Sequence, residues 1–145
     1  MNMGAFAVLT VVASKGDGGL NMQDFAGLSK RSPWLAFALA LFLFSMAGIP
    51  PTAGFIGKFY LFYSAVQANE ILLVVIAVLC SAISIYYYLR VVVQMYMRTP
   101  DGQLAPISVP FLSVIVIGLT GISTVQLGIL PSFLLNMAKK AVGGL

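Results

Sequence analysis

The sequence predicts an all-α fold: a polytopic integral membrane helical bundle forming a single transmembrane domain over 1–145. Two observations set the class. The chain is 60% hydrophobic and only 8% charged, where a soluble domain carries about a quarter charged residues, so it cannot coat a water-facing surface. The charges are also bunched: Ser32–Gly57, Ile71–Leu89 and Gly102–Ala138 hold none, and a helix needs about 20 residues to cross hydrocarbon. A third observation, Pro50-Pro51 inside the first of these runs, predicts that one span is discontinuous.

About four helical segments follow in order. Residues 1–14 are apolar up to Lys15. They would rise about 21 Å as helix, short of a roughly 30 Å core, and they lack the basic start of a signal peptide. The reading is a truncated helix whose first turns lie upstream, with a re-entrant segment as the alternative. Residues 15–32 form one substantial polar connection. The second segment, 33–66, is too long for one simple span. The third, 71–97, follows a tight turn at Asn69-Glu70. The fourth, 107–137, follows Arg98-Thr-Pro-Asp-Gly, which has Pro and Gly where a turn wants them.

The net charge of +4 reads as topology and not as nucleic-acid binding, because cytoplasmic loops collect Lys and Arg. Alternation puts Lys15, Lys30, Arg31 and Arg98 on one side, with Arg90 near it. Residues 15–32 and 98–106 are therefore expected on the cytoplasmic side and Lys139–Leu145 outside. Aromatic residues mark span ends: Phe59, Tyr60, Phe62 and Tyr63 at one interface, Tyr86–Tyr88 and Tyr96 at the other. The same rings could instead pack between helices. There is no histidine, and Cys80 is the only cysteine. That excludes a disulfide framework or a Cys/His metal site within the chain; Cys80 is expected to be a packed small hydrophobe.

The break itself is Gly48-Ile49-Pro50-Pro51-Thr52. Two prolines remove two amide donors and clash with preceding carbonyls, and each biases the residue before it away from helix. The helix should stop near Gly48 and restart at Thr52, whose hydroxyl can cap the second half. Broken backbone at membrane depth survives where it is buried in protein or lines a hydrated cavity; a plain proline kink is the simpler alternative. Lys58 shifts the balance. It is the only Lys, Arg, Asp or Glu between Ser32 and Val66, and an intramembrane lysine is costly unless it faces a partner or a water path. Low dielectric disfavours a charged ammonium, which suits lysine to proton exchange; snorkelling to the interface is the alternative. Gly54 and Gly57 offer a smooth face for helix packing. Arg90 reads as snorkelling, with an ion pair inside the bundle as the competitor. Gln94, Gln126 and Asn136 could hydrogen-bond between helices.

The stretch Ser45-Met-Ala-Gly-Ile-Pro-Pro-Thr-Ala-Gly-Phe-Ile-Gly-Lys-Phe-Tyr-Leu61 resembles the signature of the antiporter-like membrane subunits of respiratory complex I, and most of all the subunit N (subunit 2) family. Tyr86-Tyr-Tyr-Leu-Arg-Val-Val-Val-Gln-Met-Tyr96, Asn2-Met-Gly-Ala-Phe-Ala-Val-Leu9 and Asp24-Phe-Ala-Gly-Leu-Ser-Lys-Arg-Ser-Pro33 extend the likeness along essentially the whole chain. The resemblance implies the C-terminal part of an antiporter-like fold, with 33–66 as its discontinuous helix. It places Lys58 on the family's proton route toward the outer side. It also implies a membrane-arm subunit of NADH-quinone oxidoreductase, contributing to proton translocation in an energy-transducing membrane beside other membrane-arm subunits and the lipid bilayer. NADH, FMN, iron–sulfur clusters and quinone are implied for the whole complex. This chain is expected to bind none of them, having no Gly-rich dinucleotide motif and no cysteine cluster. The glutamate and lysines of the family's first repeat are absent here. Alternatives are a subunit of a multisubunit sodium/proton antiporter, which shares the broken helix, or a truncated structural or assembly fragment without transport.

Overall fold

The computed structural model describes residues 1–13, 22–98 and 109–132, the side chain of Gln23 excepted. Lys15, Asp17, Asp101, Asn136, Lys139 and Lys140, and with them the expected tail at Lys139–Leu145, lie outside the described residues. Those described are helical or in turns: α1 (Asn2–Ala13), a 3-10 turn (Met22–Phe25), α2 (Leu28–Arg31), α3 (Pro33–Ala47), α4 (Ala53–Gln67), α5 (Ile71–Met97) and α6 (Phe111–Ile129). The chain is an all-helical membrane bundle. Helices α5 and α6 are long and apolar enough to cross a bilayer, while α1 and α3 are shorter apolar helices.

The sequence of α3 makes it the hub. Ala36, Ala38, Ala40, Ser45 and Ala47 keep its surface small, so neighbours approach closely on several sides. It buries Leu35, Leu39, Phe42 and Leu43 against α1, α2, α4, α5 and α6. Pro33 at the first turn suits a helix start, where its missing amide costs nothing. Helix α1 runs antiparallel to α3: Ser45 meets Met1, and Gly4 lies so close to the Phe42 ring that no side chain fits there. Helix α6 runs parallel to it, with Gly121 beside Leu41 and Gly128 against Pro51 and Thr52.

Two expectations change here. The connection 15–32 is not simply a polar loop, because its described part forms two helical turns that bury Phe25, Ala26 and Leu28 under α3 and α5. Cys80 is exposed and not packed. It sits on a length of α5 that is largely exposed among the described residues: of all of α5, only Met95 is buried.

Candidate functional site

Between α3 and α4 the backbone turns through Gly48–Thr52. Gly48 adopts φ +87°, a left-handed conformation that glycine takes without penalty. Its amide donates to the carbonyls of Phe44 and Ser45 at 3.1 Å each, and the Ile49 amide donates to Phe44 at 3.1 Å. This is a Schellman closure, which satisfies carbonyls that a helix end would leave open. Ile49, Pro50 and Pro51 follow, exposed, and the Pro50–Pro51 bond is cis.

Thr52 does not cap α4 as expected. Its hydroxyl turns back and donates to the Ile49 carbonyl at 2.7 Å, beside the Thr52 amide at 3.3 Å. The tight turn that the prolines impose leaves that carbonyl directly under Thr52. The capping oxygen comes from the other half of the break: fully buried Ser45 accepts the Gly54 amide at 3.2 Å and donates to the Met1 sulfur at 3.1 Å. Gly54 permits this approach, since a Cβ there would collide with the Ser45 carbonyl. Gly54 and Gly57 therefore do not form one packing face within the described chain. Gly54 is buried on the end of α3, whereas Gly57 is exposed with nothing in contact.

Lys58 stands one turn beyond Gly54 and reaches back across the break. Its Nζ donates to the Ala47 carbonyl at 3.1 Å, and the side chain is half-buried. The stem lies against Gly48, where a Cβ would come 3.0 Å from Lys58 Cδ. Glycine at 48 thus serves both the backbone turn and the passage of the lysine. Electrostatics agree with the contact. A helix C-terminus carries about half a negative charge from its aligned peptide dipoles, and Ala47 is the last residue of α3. The bond therefore sets an amine of α4 against the negative end of α3.

Beyond Lys58, α4 is mostly exposed among the described residues. Phe59, Tyr60, Leu61 and Tyr63 are exposed, with Phe55, Phe59 and Tyr63 stacked in a row at ring separations of 6.2 and 6.5 Å. Arg90 is exposed at the far end of α5, and Gln126 is exposed on α6; the break brings neither to Lys58. Ser45 and Gly128 belong to the site and were not singled out from sequence. A lone serine in an apolar run is ambiguous; its place one turn before the prolines was the available signal. Among the described residues, no group of three His, Cys, Asp or Glu could hold a metal ion, and one exposed cysteine does not fit an iron–sulfur cluster.

Residues 1–84 match the family model described as NADH:quinone oxidoreductase/Mrp antiporter, TM. The chain is 46% identical over 142 residues to NADH-quinone oxidoreductase subunit N of Trichlorobacter lovleyi, covering 98% of this chain and 29% of that protein. It is 39% identical over 141 residues to subunit N of Chloroflexus aggregans, covering 97% and 29%. It superposes on a chain of respiratory complex I from Thermus thermophilus with bound aureothin at a TM-score of 0.72 and 29% identity, over 81% of this chain and 27% of that one. The chain thus spans just under a third of the length of the curated relatives it matches. With the broken helix and these matches together, the chain belongs to the NADH:quinone oxidoreductase/Mrp antiporter transmembrane family.

Proposed function

We propose that this chain is part of a membrane-arm subunit of a proton-translocating NADH-quinone oxidoreductase, in which Lys58 is a protonatable relay at the helix break. The sodium/proton antiporter reading is less favoured, because the relatives matched along nearly the whole chain are subunit N proteins. Electron carriers, nicotinamide chemistry and quinone chemistry belong to other parts of such an assembly. The relevant partners are its other membrane-arm subunits and the surrounding lipid.

The observation that carries the reading is the 3.1 Å bond from Lys58 Nζ to the Ala47 carbonyl. An ammonium there is held by the negative end of α3; a neutral amine is held far less strongly. Loss of the proton would weaken the link between the two half-helices, and regaining it would restore the link. The charge state of one residue is in this way coupled to the geometry of a break, as half-helix ends are used in transporters. The sequence implies no carbonyl substrate and places no neighbouring base beside Lys58, so the amine is read as serving proton transfer and not nucleophilic attack.

In the assembled full-length complex, Lys58→Ala should cut proton pumping much more than electron transfer to an artificial acceptor or assembly. Lys58→Arg should not rescue pumping, because arginine keeps its proton. Wild-type pumping by both variants in sealed vesicles with normal amounts of complex would leave Lys58 an interfacial anchor. The orientation proposed with this function puts residues 15–32 and 98–106 on the cytoplasmic side and Lys139–Leu145 outside. Single cysteines in place of Asp24 and Gly143 should be labelled from opposite faces, and outside labelling of position 24 would reverse the topology.

A further inference from the structure

At the end of α5 remote from the break, a cavity of about 240 Å³ is lined by Met22, Arg90, Val93, Gln94 and Arg98. Arg90 and Gln94 are four apart and share one face of α5, and Arg98 follows at its C-cap. The cavity offers two guanidinium groups, which suit phosphate oxygens, and one amide. The acids among the described residues are Asp24 and Glu70; neither lines the cavity, and Asp24 already has an interaction of its own.

Depth supplies the second argument. Helix α5 has 27 residues, about 40 Å of rise, whereas hydrocarbon takes roughly 30 Å, or about 20 residues. Counted from Ile71, the hydrocarbon layer ends near Arg90, and the turns through Arg98 cross the headgroup layer. The exposed rings of Tyr86, Tyr87 and Tyr96 flank this level, as interfacial aromatics do. Third, the polar cavity adjoins a mostly apolar groove. Met22 lines both, and the groove, about 310 Å³, runs between α1, α3 and α5 past Phe6, Leu43, Tyr87 and Val91. A charged pocket that borders an apolar groove across Met22 has the outline of a lipid.

We infer that an anionic phospholipid binds here, its phosphodiester on Arg90, Gln94 and Arg98 and an acyl chain in the groove between α1, α3 and α5. Lys58 lines neither the cavity nor the groove, although the groove reaches Met46 beside the break, and the proposal does not depend on the function of Lys58.

The test uses the assembled complex containing the full-length subunit, in phosphatidylcholine vesicles doped with a phosphatidylglycerol carrying a photoreactive acyl chain. Crosslinks should map to the groove, on peptides containing Phe6, Leu43 or Tyr87. Arg98→Gln should lower their yield about fivefold, and adding Arg90→Gln should lower it about as much again, as expected for basic residues near an anionic surface. Arg98→Lys should retain more labelling than Arg98→Gln, and Lys30→Gln, outside the cavity, should leave it unchanged. Excess inorganic phosphate should not compete. Equal labelling of wild type and Arg98→Gln would overturn the proposal. So would equal labelling by a photoreactive phosphatidylcholine, which would mean lipid solvation alone, or displacement by inorganic phosphate, which would mean a site for a free anion.

Discussion

Helices α3 and α5 are both strongly apolar, α5 carrying Arg90 and Gln94 only toward its C-terminal end, yet the fold treats them oppositely. Helix α3 buries nine of its 15 residues, whereas α5 buries one of its 27. Hydrophobicity does not separate them, because lipid tails are as apolar as a protein core and give helices no hydrophobic reason to associate. Side-chain size does. Helix α3 alternates alanine with large residues and ends in Ser45, Ala47 and Gly48, so backbones come close. Small residues are five of 15 in α3 but five of 27 in α5, where they are confined to Ala77–Ser84 and the rest is largely Ile, Leu, Val and Tyr. The large branched face of α5 is left for lipid or for further protein, and the functional break is built where the small residues are.

The sharpest test of that contrast is a pair of glycines three residues apart. Gly54→Ala should be severely destabilising, because the added Cβ meets backbone at Ser45, which has no rotamer to move. Overpacking of this kind costs about 1–3 kcal/mol and sometimes more. Gly57→Ala meets nothing and should stabilise α4 slightly, since alanine is the better helix former by about 1 kcal/mol. Thermal unfolding of the detergent-solubilised complex distinguishes them; equal effects would mean that the α3–α4 seam is looser than described.

A second pair compares the helices directly. Leu39 is 2% exposed and Leu79 is 59% exposed. Leu39→Ala should cost about 2 kcal/mol, the share of a core truncation due to the void, since lipid offsets most of the transfer share. Leu79→Ala should stay within about 0.5 kcal/mol. Cys80 beside it gives an independent reading: a lipophilic thiol reagent should modify it readily in the separated subunit. Protection in the assembled complex alone would identify that face of α5 as a protein contact.

Much of the fold was legible because its signals were categorical. Long uncharged runs give spans, and Pro50-Pro51 cannot continue a helix. Lys58 stood out because a charge in an apolar run needs a reason. Contacts made across the chain were less legible. That Gly128 of α6 would rest on Pro51 and Thr52 follows from how three helices cross, which no local pattern encodes. Cys80 was misjudged on the usual behaviour of free cysteine, which presumes a core around it. The role given to Thr52 failed for a subtler reason: hydroxyls on either side of the break could reach an α4 amide, and local spacing favoured the wrong one.

The smallest predicted effect settles that last point. Ser45→Ala removes the acceptor of the Gly54 amide and leaves a buried donor unpaired, at a cost of about 1–3 kcal/mol before any rearrangement. Capping losses are typically nearer 1 kcal/mol, and the expectation lies at that lower end because nearby carbonyls can shift. Thr52→Ala removes only a second donor to the Ile49 carbonyl, which keeps the Thr52 amide, and should cost less, about 0.5 kcal/mol. Stability alone separates the two poorly, so the discriminating measurement is local: hydrogen exchange at the Gly54 amide. It should accelerate in Ser45→Ala and remain slow in Thr52→Ala, because only the first loses its acceptor. Acceleration in Thr52→Ala alone would return the cap to Thr52 and separate the two half-helices at their buried seam. The bond from Lys58 to Ala47 would then be the chief polar tie between them.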